Sequence, residues 1–187
     1  MTEKYKKFLE TDFVVFDIET SGLDPIRDEI LEIAAIRLAG DREIDRFEAL
    51  IQPTRPVTPE VEKIHGLNEL YLLVNGRRLE EVIGEFMEFL GGSIVSGHNI
   101  RGFDWLFILE HFKKRNQPSP ENKIIDTLEL SRQLLPLPAY NLASVAGHFG
   151  FEHKNAHRAM PDVEVNTKVF LKLMELLLNP SVTSQKL

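Results

Sequence analysis

The chain has 187 residues, 43% of them hydrophobic and 27% charged, with a formal net charge of −7 at pH 7 and no cysteine. That length fits one domain able to bury a core without covalent staples, and the composition excludes collagen, low-complexity disorder and a coiled coil; the missing cysteine excludes disulfides, thiolate catalysis and zinc ribbons. The acidic balance argues against a protein that coats nucleic acid through a basic face, yet it suits an enzyme that gathers acidic ligands around divalent cations.

The chain opens on a polar lead, Thr2 to Thr11, with no apolar signal core. No apolar run reaches the roughly 18 residues of a membrane helix, so a cytoplasmic protein without a membrane partner is expected. Phe13-Val14-Val15-Phe16 reads as a buried central strand continuing to about Glu19. Gly22, Asp24 and Pro25 break it. Ile30 to Leu38 predicts a second strand, Ala39-Gly40-Asp41 a turn, and Ile44 to Ile51 a returning third strand. Pro53, Pro56 and Pro59 mark an irregular loop, and short helices are predicted over Pro59–Ile64 and Leu79–Leu90. Ser93 to Gly97 predicts a fourth strand, Phe103 to Arg115 a helix, and Lys123 to Asp126 a fifth strand. Helices follow at Thr127–Leu135, Leu142–Phe149 and Pro161–Leu178, with a short polar tail from Asn179. Three antiparallel strands followed by alternating strand and helix predict an α/β fold, a mixed five-stranded sheet flanked by helices.

Three places carry candidate chemistry. Asp17-Ile18-Glu19 puts two carboxylates on one face of a strand, because side chains alternate with a period of two. Such a pair at the mouth of an apolar strand is costly unless a cation compensates it, and its oxygen ligands suit magnesium or manganese. Asp-x-Glu also occurs at Asp41 and Asp162, so position, not pattern, singles out Asp17 and Glu19. Asp104 stands just inside a helix after Gly97-His98-Asn99, where the bland reading is a first-turn acid meeting the helix dipole. Asp162 heads the last helix on the face of Val165, Val169, Leu173 and Leu176, which points it at the sheet. His157 lies five residues before it in a loop. A histidine beside a metal and its water is a good general base, since a free imidazole titrates near pH 6.5. His153 and His157 have the spacing of some zinc pairs, but the segment does not read as helix and no thiolate accompanies them. Arg77-Arg78 and Lys113-Lys114-Arg115 read as solvated surface.

Taken together, Phe16-Asp17-Ile18-Glu19-Thr20-Ser21-Gly22-Leu23, His98-Asn99…Phe103-Asp104 and His157-Arg158-Ala159…Asp162 resemble the three exonuclease motifs of the DnaQ-like superfamily, in its DEDDh branch. Pro59-Glu60…Ile64-His65-Gly66-Leu67, Ile125-Asp126-Thr127-Leu128 and Asn141-Leu142 extend the resemblance, which runs from about Phe13 to Met174 and leans toward the proofreading exonucleases of bacterial replicative polymerases. It implies an RNase H-like fold over one exonuclease domain spanning 1–187, with its core at about 11–178. It implies a 3′–5′ exonuclease that uses two metal ions, magnesium or manganese, on the 3′ end of a single or frayed nucleic-acid strand, and it allows a DNA polymerase as partner. By match of position, Asp17, Glu19 and Asp162 would hold the first ion. Asp17 would bridge to the second, Asp104 would bind through water, and His157 would take the proton of the attacking water. Thr20, Leu23, Glu60, His65 and Asn99 would contact the terminal nucleotide. One departure is visible: Ile100-Arg101-Gly102 places three residues between Asn99 and Phe103-Asp104, where the family usually has two. Gly102 is expected to absorb the extra residue.

A 3′–5′ DNA exonuclease of proofreading or repair type is the leading expectation. An RNA exonuclease would share its chemistry and differ in how it treats the 2′-hydroxyl. A non-catalytic nucleic-acid or polymerase-binding module has no need for four acids and a histidine. A two-carboxylate glycoside hydrolase leaves Asp104, His157 and Asp162 unexplained.

Overall fold

The computed structural model describes residues 2–153 and 157–179. Five strands form one sheet: β1 (Asp12–Thr20), β2 (Ile30–Ala39), β3 (Arg42–Leu50), β4 (Ile94–Gly97) and β5 (Ile124–Asp126), in the order β3-β2-β1-β4-β5. β1 pairs antiparallel with β2, and β2 with β3; β1 pairs parallel with β4, and β4 with β5. The sheet is the mixed α/β arrangement expected, with β1 at its centre. Short turns suffice for the antiparallel pairs, whereas each parallel pair needs a helical crossover.

Eight helices lie among the described residues: α1 (Glu3–Leu9), α2 (Pro59–His65), α3 (Glu69–Asn75), α4 (Leu79–Leu90), α5 (Asp104–Lys114), α6 (Thr127–Leu134), α7 (Leu142–His148) and α8 (Ala159–Leu178). The alternation of β1 sorts six of them into two layers, while Leu72 of α3 packs in a separate cluster with Leu31 and Leu67. Phe13 and Val15 join the cluster made by Phe8 of α1, Leu130 of α6, Val145 of α7 and Val163, Val169, Phe170 and Leu173 of α8. Val14, Phe16 and Ile18 join the other, with Val82, Ile83 and Phe86 of α4 and Trp105 and Ile108 of α5. Phe16 is fully buried, its ring 5.2 Å from that of Phe86 and 6.0 Å from that of Trp105. Burying one such side chain contributes roughly 1.5–3 kcal/mol, so the apolar half of β1 anchors the register on which its acidic half depends.

Three elements depart from expectation. The polar lead folds as α1: Thr2 caps it by accepting from the Tyr5 N–H at 3.3 Å, and Phe8 alone is buried, so no apolar period announces it. α3 was not expected either. Asn68 caps it through the Tyr71 N–H at 2.8 Å, and only Leu72 turns inward while Leu70 and Val74 remain exposed. α8 starts at Ala159, two residues before Pro161, with the Ala159 N–H donating to the buried Glu32 carboxylate at 3.0 Å. The polar tail past Asn179 lies outside the described residues, and among those described no helix is long and apolar enough to cross a membrane.

Candidate active site

The alternation that packs Phe13 and Val15 against α8 carries on to Asp17 and Glu19, which therefore face the same helix. Asp162 comes to meet them in the first turn of α8. Carboxylate oxygens of Asp17, Glu19 and Asp162 lie within 4.8 Å of one another, a grouping able to hold a metal ion. The donors are hard oxygens, suited to magnesium or manganese. The charges are poorly compensated by the protein itself. Burial, then the neighbouring Asp104 and Glu19, push the Asp17 carboxyl well above the usual range. Burial, then Asp162 and Glu32, push Glu19 to about 8. Such a cluster fits a divalent cation, which replaces the missing positive charge.

Asp104 opens α5 and is 3% exposed. Its Oδ1 accepts the N–H of Ile18, the residue between Asp17 and Glu19, at 3.1 Å. Asp104 thus adjoins the three-carboxylate group without joining it. Burial raises its carboxyl to about 7, against the lowering effect of backbone N–H donors. In the preceding loop Gly102 sits tight against Asn99. A Cβ there would fall 2.6 Å from Asn99 Oδ1, and the Gly102 N–H donates to the Asn99 carbonyl at 3.0 Å. Asn99 takes a left-handed φ of 62°. Asp126, at the end of β5, fastens the loop by accepting the N–H groups of Asn99 and Arg101, each at 3.1 Å.

His157 sits on an exposed loop with a φ of 68°, and its N–H donates to Asp162 Oδ2 at 3.3 Å. The next residue is clamped. Arg158 donates from Nε to Glu32 Oε2 at 3.1 Å and from Nη2 to Oε1 at 2.7 Å, and the Ala159 N–H donates to Oε2 at 3.0 Å. Glu32 is fully buried and lies opposite Glu19 in the β1–β2 register. This clamp sets where α8 begins relative to the acids, and sequence reading passed over it. The signal available was a charged residue inside the apolar run Ile30–Leu38. His153 was also undervalued: its Nε2 lies 2.6 Å from Asp162 Oδ1. Among the described residues, the candidate metal-holding group is Asp17, Glu19 and Asp162.

The residues expected around a terminal nucleotide are less tightly gathered. Thr20 ends β1 and donates its hydroxyl to the Gly22 carbonyl at 2.6 Å, while Leu23 is 84% exposed. Glu60 lies exposed on α2. His65, at the end of α2, is buried; its Nδ1 accepts the Leu67 N–H at 3.0 Å and its Nε2 has no partner. Burial holds this imidazole below the usual histidine value. In the basic clusters Arg77 pairs with Glu85, Arg78 with Glu81, Lys113 with Glu110 and Arg115 with Glu80, while Lys114 donates to the Ile26 carbonyl at 2.6 Å.

The sequence model of the exonuclease family, RNase T, matches residues 14–170. The chain belongs to the exonuclease family. Its similarity extends to the DNA polymerase III subunit epsilon of Aquifex aeolicus, 34% identical over 90% of this chain and 83% of that protein. The PolC-type DNA polymerase III of Thermotoga maritima is 39% identical over 94% of this chain, which spans only 13% of that polymerase. Among solved structures, E. coli exonuclease I in complex with a dT13 oligonucleotide aligns with a TM-score of 0.79 at 21% identity, over 93% of this chain and 43% of that one. That likeness supports the fold. The family's enzyme class, a 3′–5′ exonuclease, is the one the three motifs imply.

The raised carboxyls give this exonuclease domain a testable pH signature. A carboxyl whose folded value exceeds its unfolded one binds extra protons in the native state, so stability falls as pH rises through the folded value. The buried His65 and His111 and the half-buried His98 are shifted down and act the other way only below their ordinary value of 6.5. Between pH 6.5 and 8, the interval that ends at the Glu19 value, the acids decide the sign. The melting temperature of chelator-treated protein is expected to fall across this interval, and excess magnesium is expected to remove the fall. Calorimetry with and without the ion checks this; a metal-free melting temperature that rises with pH would contradict it.

Proposed function

We propose that the chain is a two-metal 3′–5′ exonuclease that releases nucleoside 5′-monophosphates from the 3′ ends of DNA, in a proofreading or repair setting. The observation that carries this reading is the convergence of Asp17, Glu19 and Asp162 on one spot at the end of the central strand. Asp17, Glu19 and Asp162 would hold one ion, magnesium or manganese. Asp17 and Asp104 would serve the second. When bound, a pair of such ions stabilises the attacking and departing oxygens of an in-line displacement.

The chain's own residues supply the rest. His157 accepts the proton of the attacking water as its oxygen bonds to phosphorus. The bond from phosphorus to the 3′ oxygen breaks, and that oxygen takes a proton from solvent. Its exposed loop lets His157 reach a bound strand end, and the Glu32–Arg158 clamp fixes the loop's far side. Leu23 presents an apolar surface to a base and Thr20 lies beside the sugar, while Glu60, His65 and Asn99 position the terminal nucleotide. Stacking and shape accept any base, so little sequence preference is expected. DNA is favoured because the Aquifex relative is a subunit of DNA polymerase III and the solved neighbour carries a dT13 oligonucleotide. The same relatives favour a DNA polymerase as partner.

Digestion of end-labelled strands tests direction and product. With magnesium, 3′-labelled single-stranded DNA should yield labelled nucleoside 5′-monophosphate at once, while a 5′ label should leave only in the last fragments. A 3′-phosphate should slow the reaction strongly, and a circular strand should survive. Early loss of the 5′ label, or rapid cutting of the circle, would sink the reading. RNA digested faster than DNA would replace DNA as the substrate.

A further inference from the structure

We infer that His153 is a positioning residue that holds the Asp162 carboxylate in its metal-binding orientation, an inference that rests on the two-ion reading above. The imidazole Nε2 lies 2.6 Å from Asp162 Oδ1, and the two side chains are 10% and 14% exposed. In the tautomer that carries its proton on Nε2, His153 donates to the carboxylate. Its Nδ1 is then a bare acceptor, buried and without a partner. The contact with Asp162 is therefore the ring's one polar engagement among the described residues. The carboxylate it grips has reason to leave. Asp162 shares its spot with Asp17 and Glu19, and like charges at such range repel. An aspartate in the first turn of a helix could relieve that repulsion by turning toward solvent. Two donors oppose this turn, the His153 ring at Oδ1 and the His157 N–H at Oδ2. The backbone bond is the longer, at 3.3 Å, and survives any change of side chain at either histidine. The ring bond is the one the sequence chose.

The two histidines flanking Asp162 thus divide the work. His157 acts on the reacting water, and His153 acts only through the ligand it orients. Groups that orient a metal ligand typically change metal affinity about 10–100-fold when removed. Manganese binding followed by electron paramagnetic resonance or calorimetry reads this without any turnover. His153→Ala is expected to weaken manganese binding by about 10–100-fold. His153→Gln, whose amide N–H can reach the same oxygen, should stay within a few-fold of wild type, and so should His157→Ala. Circular dichroism confirms that each variant is folded. Equal manganese affinity in wild type and His153→Ala overturns the inference alone, as does equal weakening by Ala and Gln. A wild-type protein that binds no manganese overturns the two-ion reading, and the inference with it.

Discussion

Purified Asp17→Asn protein is expected to lose at least about a thousand-fold of its rate on single-stranded DNA with magnesium, since several kcal/mol of transition-state stabilisation depend on the ions and each 1.36 kcal/mol is tenfold. Asp17 is the residue assigned to both ions, and its environment explains why no other acid replaces it. It lies half-buried on the central strand, with Asp104, Glu19 and Asp162 around it. Asparagine keeps the shape and removes the charge. The fold should therefore survive, and the metal-free variant should gain stability, because one member of a repulsive cluster is gone. The gain has a direction in pH. At low pH the native carboxyl is protonated and asparagine resembles it; as pH rises the wild-type charge appears and the variant's advantage grows. Single-turnover kinetics and metal-free melting temperatures at two pH values measure both halves. Retained activity in Asp17→Asn would remove this residue from the chemistry.

His157→Ala should lose about 10²–10⁴ in rate, the usual contribution of a positioned general base. The substitution spares what the backbone does. The N–H of residue 157 still donates to Asp162 Oδ2, and Arg158 remains fastened to Glu32. Metal affinity and melting temperature should thus stay close to wild type. Single-turnover rates and metal-binding measurements on both proteins check the assignment. An unchanged rate, or a loss of metal affinity equal to the loss of rate, would give His157 a different role.

Local pattern carried the sequence reading where one element decides the outcome. The run Phe13–Phe16 marked the central strand, and a period of two placed Asp17 and Glu19 on one face of it. The helical period of α8 aimed Asp162 at the sheet, and the structure brings all three together. What stayed hidden depends on contacts distant in sequence. Glu32 and Arg158 are 126 residues apart, and neither stands out until β2 and the start of α8 are neighbours. The reach of Asp104 to the Ile18 N–H spans 86 residues and likewise needs the fold. Asp126 belongs to the stretch Ile125-Asp126-Thr127-Leu128 in sequence, but its grip on the Asn99 loop follows only from β5 lying beside β4. In sequence His153 pairs by spacing with His157; in the fold the residue it meets is Asp162. The two unforeseen helices, α1 and α3, each bury a single apolar side chain, too few to leave a period.

On the proposed reading, carboxylates on β1 and α8 hold the ions on which nuclease activity depends. The most direct measurement is the count of manganese ions bound per chain in the presence of a nucleoside 5′-monophosphate, taken alongside release of a 3′ label in magnesium and in excess chelator. Two ions per wild-type chain, none in Asp17→Ala, and label release confined to the magnesium reaction are the predicted results. Undiminished label release in chelator, or two ions bound by Asp17→Ala, would contradict the account.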